Sequence, residues 1–398
     1  MRALILVENT SVPSDPRVWP QCRSLTAAGW DVTVVSPRGE TRDLEREIVI
    51  DGVAVHRFDQ RPSGGGAFGY LKEYGSALGH MSRLVRRLSR RAPFDVIQAC
   101  TPPDILLLSG LAERRRGTAT ILDHHDLSPE LYAARGGRGA VRRGLAVAER
   151  LGFRLADVVL ATNESFRDVA LTRGGKEPDD VFVVRNGPDP EVFRAVAPDP
   201  EIRAGATYLI GYAGMIGPQD GVLEALHALA HLRRRRTDWR AVFIGDGDGV
   251  SAARDLARRL ELDQLVEFVG FVHERPRLVR LLSSCDVCIS PEPRNALNER
   301  STLIKVAEYM ALSRPVVAFN LTETRRTAAG AAAYAAADDP DAFAATLDAV
   351  ISDPVARQRM GAEGRERVDD ALAWRYSERA LLAAYARAIE KRSRRAER

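Results

Sequence analysis

The feature that most narrows the fold of this chain is an alternation running along its whole length. Short strand-like runs occupy the first half: "ALILV", "DVTVVS", "DVIQAC", "TATILD", "DVVLAT" and "VFVVRN". "YLIGYAG", "AVFIGDG", "LVEFVG", "DVCISP" and "PVVAFN" occupy the second. Amphipathic stretches such as "EALHALAHLRRRR" and "RPRLVRLLSSC" separate them. That rhythm predicts parallel, doubly wound sheets flanked by helices. At 398 residues the chain exceeds one comfortable core, so two such α/β domains of about 180–200 residues are expected. The expected boundaries are a first domain at 1–190, a linker at 191–206 and a second domain at 207–372. A C-terminal helix over 373–392 is expected to pack back on the first domain. Ligands of doubly wound sheets bind at the carboxyl ends of the strands, here a cleft between the two sheets.

Composition removes several function classes. With 45% apolar and 28% charged residues the chain reads as soluble and globular, not disordered. No apolar run approaches the ~18 residues that cross a bilayer, and the five-residue run that opens the chain reads as a strand, not a leader. The four cysteines are too few for a disulfide framework, which suits a reducing cytoplasm. The C-x-x-C of Cys285 and Cys288 lies in a strand with no second pair or histidine cluster in sequence, so a buried structural pair is expected rather than a metal site. Between Arg61 and Leu155 there are 16 Lys/Arg against 8 Asp/Glu. Such a face can meet nucleic acid, anionic lipid or phosphorylated ligands. Within it, "YLKEYGSALGHMSRLVRRLSRR" (Tyr70 to Arg91) is expected to form a helix able to lie on an anionic membrane surface. Arginine-rich solubility is the alternative.

"NERSTLIKVAEYMALSRPVVAF" (Asn298 to Phe319) looks like a packed helix feeding a buried strand. Ser301, Lys305 and Glu308 fall at i, i+4 and i+7, which would put a hydroxyl, a cation and a carboxylate on one helical face. Two readings stand: a solvated face with a weak ion pair, or a docking strip for an extended anion. Two strand–glycine–helix transitions accompany it, "YAGMIGPQDGV" and "VFIGDGDGV". Their bare amides could receive an anion, but neither is a full G-x-G-x-x-G, and a dinucleotide cofactor is not expected. Asp246 and Asp248 read as turn and helix-cap residues.

Taken in order, "SDPRVWP", "DHHDLSPELY", "ATNES", "VRNGPDP", "YAGMIGPQDG" and "FVGFV", with the Asn298–Phe319 segment, resemble the retaining glycosyltransferases of family 4. The resemblance runs from the first strand to about Val368. It implies the GT-B fold, two Rossmann-like domains facing across a cleft, and transfer of a hexosyl unit from a nucleotide-diphosphate sugar, UDP foremost, with anomeric retention. It implies no metal and no cofactor. Glu308 would hold the ribose hydroxyls, and Lys305 would carry the cationic role at the diphosphate. The remaining donor contacts would come from Gly214, Met215, Gly217, Phe271, Val272, Asn298, Arg300, Ser301 and Thr302. His125 would lie near the anomeric carbon, with His124, Asp15 and Arg17 on the acceptor side. The family's E-x7-E departs here: position 300 is Arg300, and Glu299 stands one residue early as the substitute. The family's Arg and Lys in the glycine turn are replaced by Met215 and Asp220, with Arg300 and Arg294 as reserve cations. The acceptor is expected to be a lipid-linked saccharide or a small molecule, not nucleic acid. The alternatives are a nucleotide-sugar epimerase and a non-catalytic membrane-surface scaffold.

Overall fold

The computed structural model describes residues 1–39, 42–59 and 66–396, with side chains for all of these except 66–74 and 396. The chain divides into two compact units, Met1–Asn186 with Arg375–Arg398, and Gly187–Trp374.

The first unit is built on an eight-stranded sheet. In chain order its strands are β1 (Arg2–Leu6), β2 (Asp31–Pro37), β3 (Glu47–Ile50), β4 (Val53–Phe58), β5 (Val96–Cys100), β6 (Ala119–His124), β7 (Val158–Ala161) and β8 (Val181–Val183). Across the sheet they run β3-β4-β2-β1-β5-β6-β7-β8. β5, β6 and β7 are buried along their whole length, as strands covered on both faces must be. Every pairing is parallel except β3–β4. The alternation above omits both of these strands. Their turn is Asp51–Gly52, with φ of 49° and 80°, and a two-residue Asp-Gly turn can only return the chain antiparallel. The C-terminal helix Trp374–Ala396 adds to this unit: the Tyr385 hydroxyl donates to Gln98 Oε1 on β5 at 2.9 Å.

The second unit carries β9 (Tyr208–Ala213), β10 (Trp239–Ile244), β11 (Val266–Gly270), β12 (Val287–Ser290), β13 (Val316–Phe319) and β14 (Ala332–Ala335). Their order is β11-β10-β9-β12-β13-β14, and all pairs are parallel. β14, "AAYA", went unread because four residues dominated by alanine carry no strand signature. Gly211 on β9 sits where a Cβ would come 2.6 Å from Cys285 Sγ. Both C-x-x-C cysteines are free and fully buried. Among the described residues no helix is long and apolar enough to cross a membrane.

The basic helix is Gly66–Arg91, and its side chains before residue 75 lie outside the described residues. Over the remainder Met81, Val85 and Leu88 are buried while Arg83, Arg86, Arg87 and Arg90 are exposed. Over these residues its apolar face is used by its own unit, and arginines are what it shows outward. The expected contact of this helix with an anionic membrane surface draws no support from a spare apolar face over these residues.

Candidate active site

In the second sheet the strand order reverses between β9 and β12, and the loops after these two strands hold the conspicuous polar groups. The loop after β9 begins at Gly214, whose φ is +153°. A Cβ there would come 3.1 Å from Lys305 Cε. The glycine therefore leaves room for the lysine as well as permitting the turn. Gly245, in the turn after β10, would set a Cβ 1.8 Å from the Gly214 carbonyl oxygen. The two glycine turns thus lie backbone against backbone, tied by Gly214 N–H to Ile244 O at 3.0 Å and Ile216 N–H to Asp246 O at 3.0 Å. Asp246 closes its own turn on the Gly247 N–H at 2.8 Å. Asp248 is not a cap as expected: the N-cap of the helix Val250–Arg259 is Gly249, with no side-chain bond.

Lys305 is 9% exposed and lies in the first turn of the helix Ile304–Ala311. Its ammonium donates to the Tyr212 hydroxyl at 3.0 Å and to Glu292, and sits 4.2 Å above the Tyr212 ring. Burial opposes its charge, but Glu292 and Tyr212 outweigh burial and hold the lysine protonated above its ordinary range. Glu292 is 1% exposed and accepts from Ser290 Oγ at 2.5 Å. The Tyr212 hydroxyl in turn donates to the Met215 carbonyl oxygen at 2.6 Å. Burial pushes the tyrosine up to about 12. Glu292 was missed in the sequence; the available signal was a carboxylate between two prolines, "SPEP", directly after a buried strand.

One element of the expected polar row is corrected. The helix begins at Ile304 with Leu303 as N-cap, so Ser301 precedes it and its hydroxyl donates to Leu297 O at 2.9 Å. The cause is local: Asn295 Oδ1 accepts from Leu297 and Asn298 N–H groups at 3.0 and 2.9 Å, which builds a turn where the periodicity suggested helix. Only Lys305 and Glu308 share the helix. Neither is on a solvated face: the Glu308 side chain is 13% exposed and faces Arg275 at 3.5 Å. Burial raises its pKa against the pull of Arg275 and Lys305.

The other named donor residues fall into two sets. Gly217 donates to Asp220 Oδ2 at 2.9 Å, and Asn298 Nδ2 bridges Gln219 O and Pro293 O at 3.0 and 2.8 Å, joining the two loops. Met215 and Phe271 are exposed, and Val272 follows Phe271 in the loop after β11. Arg300 donates to Ala296 O at 2.9 Å, and Thr302 lies half-buried just before the helix. Glu299 is held elsewhere: it accepts from the Thr322 N–H and hydroxyl at 2.9 and 2.6 Å and pairs with Arg294 at 3.0 Å. Burial opposes its charge, yet these partners keep it below the usual carboxylate range.

In the first unit "DHHD" ends β6. His125 is mostly buried, with Nδ1 3.8 Å from Asp123 and Nε2 3.7 Å from Asp126. Burial opposes protonation, but Asp123 and Asp126 raise its pKa. Asp123 is fully buried and takes a bidentate ion pair from Arg17, plus a bond from Gln21 Nε2 at 2.8 Å. Arg17 also reaches Val184 O at 2.9 Å and Asn186 Oδ1 at 2.6 Å. Asp15 Oδ1 accepts from the Arg17 and Val18 N–H groups, both at 2.8 Å, at the start of the helix Val18–Ala27. Asp15 and Arg17 are 5% and 4% exposed, so both side chains are taken up by their own unit. His124 is fully buried against Glu149, at 3.3 Å, rather than facing outward beside His125.

Known proteins match both units. A family model described as a glycosyl transferase 4-like domain matches residues 15–187, and one for glycosyl transferases group 1 matches 207–353. Glycogen synthase of Mycobacterium tuberculosis is 25% identical over 238 residues, 59% of this chain and 55% of that protein. The chain thus matches little more than half the length of that relative. Sucrose-phosphate synthase of Thermosynechococcus elongatus superposes with a TM-score of 0.80 at 16% identity, over 98% of this chain and 99% of that one. HepE of Anabaena, solved with UDP-glucose, gives 0.74 at 17% identity over 96% and 98%. Those likenesses concern the fold; the two family matches, which together take in most of the chain, concern descent. The chain belongs to the family 4 glycosyltransferases of the GT-B fold.

Proposed function

We propose that the protein transfers a hexosyl unit from a nucleotide-diphosphate sugar to an acceptor hydroxyl, with anomeric retention and without a metal at the reaction centre. The observation that carries this reading is Lys305, a buried cation clamped by Glu292 and Tyr212 at the strand ends where the second sheet reverses, one helical turn before Glu308. A leaving diphosphate gathers charge in the transition state, and a cation fixed in advance stabilises it without reorganising. Glu308 is the candidate for the ribose diol. Two charge-assisted hydrogen bonds from one carboxylate contribute roughly 1.5–3 kcal/mol each before desolvation. The exposed loop around Phe271 would lie against the base. UDP is the carrier put forward, in keeping with the UDP-glucose bound to HepE. His125, set between Asp123 and Asp126, is the group assigned to the anomeric side by resemblance. A saccharide or small-molecule acceptor fits the relatives that match.

The test is calorimetric titration with UDP and UDP-glucose of the wild type, Lys305→Ala and Glu308→Ala. Both variants should weaken UDP binding tenfold or more, and Lys305→Ala should also lower turnover by about 10²–10³. Unchanged binding in both removes the site assignment. Proton NMR of the transferred sugar should show the anomeric configuration of the donor; the inverted anomer removes retention.

A further inference from the structure

In the first unit three titratable side chains meet out of contact with water. Asp104 follows β5, His124 ends β6, and Glu149 lies on the helix Ala140–Leu155. They are 2%, 0% and 0% exposed, and one ligand atom from each lies within 4.8 Å of the others. The packing that brings them together is backbone-tight: a Cβ on Gly152, one turn after Glu149, would come 2.3 Å from the Asp104 carbonyl oxygen.

Charge counting shows what the cluster lacks. Glu130, 7% exposed, joins Asp104 and Glu149 through Arg173, which pairs with Glu130 at 3.0 Å and Glu149 at 2.9 Å. Three buried carboxylates therefore face one guanidinium. Ser128 donates a neutral bond to Asp104 Oδ2 at 2.7 Å. Asp104 Oδ1, His124 Nδ1 and Glu130 Oε2 are buried without a hydrogen-bond partner among the described residues. A buried oxygen without a hydrogen-bond partner is destabilising, and an unpaired buried carboxylate is more so. With all three carboxylates charged and the imidazole neutral, the site would be two positive charges short.

We infer that Asp104, His124 and Glu149 form a buried three-ligand site for one divalent transition ion of the zinc class. One imidazole and two carboxylates make a donor set that such ions accept. Zinc–ligand bonds of about 2.0–2.2 Å set neighbouring donors about 3.4 Å apart. His124 Nε2 and Glu149 Oε1 already stand at 3.3 Å. Asp104 Oδ1, buried without a hydrogen-bond partner among the described residues, is the donor left to complete the set. The ion would lock the loop after β5 to the end of β6, immediately before His125. It takes no part in the transfer reaction.

The experiment uses tag-free full-length protein stripped by chelator and titrated with Co2+, then Zn2+. One equivalent of cobalt should survive desalting, show visible d–d bands without the intense bands of thiolate ligation, and be displaced by zinc. Glu149→Gln and His124→Gln, checked for folding by circular dichroism, should lose more than the roughly 100-fold in affinity that removal of an outer partner costs. Asp104→Asn leaves the existing Ser128 bond an acceptor and gives a milder variant, expected to weaken uptake in the same direction. No retained cobalt in the wild type overturns the proposal and leaves protons as the neutralising charge. Uptake unchanged in the variants, or thiolate bands pointing to the cysteines, overturns it equally.

Discussion

Asp123 in the first unit and Glu308 in the second are both carboxylates largely removed from water, yet their pKa values move in opposite directions. Burial alone would raise both. At Asp123 a bidentate Arg17, with His125 beside it, overcomes burial and holds the carboxyl far below its ordinary 3.8. At Glu308 the one cation in ion-pair range among the described residues, Arg275 at 3.5 Å, does not, and the pKa stays above 4.5. A saturated charge is a structural fastener; an under-compensated one is what a ligand's hydroxyls can complete. Asp123 spends its charge on its own unit, through the chain Arg17–Asp123–Gln21–Gln98–Tyr385. The second keeps Lys305 and Glu308 near the strand ends.

The strongest way to break this contrast is Arg17→Ala. It strands a fully buried carboxylate and should cost about 3–5 kcal/mol of stability, read by urea denaturation near neutral pH. Because the folded-state pKa of Asp123 is depressed, its contribution is present above 3.8 and fades as pH falls through the folded value, so the deficit of the variant should narrow in acid. A loss below about 1 kcal/mol would place Asp123 among the weakly coupled groups.

Glu308 should respond with the other sign. Its raised pKa means that its share of folding stability is full below 4.5 and falls as pH rises through the folded value. If the carboxylate form binds the ribose, UDP affinity should drop about tenfold as pH is lowered through that value. Glu308→Gln should flatten the profile. A pH-independent affinity in the wild type would detach Glu308 from the nucleotide.

Tyr385→Phe is the mildest change. It deletes the far end of the first unit's chain, a single neutral bond to Gln98, and should cost about 0.5–1.5 kcal/mol while leaving UDP affinity unaltered. A change in UDP binding would show that the two regions are not independent.

Much of the architecture was legible before any coordinates, because doubly wound sheets write themselves as repeated apolar runs. What escaped is instructive. The β3–β4 hairpin carried a clear signal in "IVIDGVAV" but sat inside a strand–helix rhythm that does not anticipate it. β14 is nearly all alanine and has no signal of its own. At the site, Lys305 and Glu308 stood out because charges among buried positions are conspicuous in a periodic helix. Glu292 did not, since a carboxylate in a proline-rich loop reads as solvent-facing until the fold turns it inward.

By itself the sequence determined the two α/β units, their parallel sheets and their family, since these follow from local periodicity and ordered motifs along one dimension. Only the tertiary structure decided which charges meet: that Asp15 and Arg17 close on their own unit, that Ser301 leaves the helix, that Glu292 takes Lys305, and that Asp104, Glu149 and His124 converge. The physical reason is range. Hydrophobic patterning is set by near neighbours in the chain, whereas a buried charge is satisfied by whichever partner the folded strands bring within a few ångströms, 106 residues away for Arg17 and Asp123.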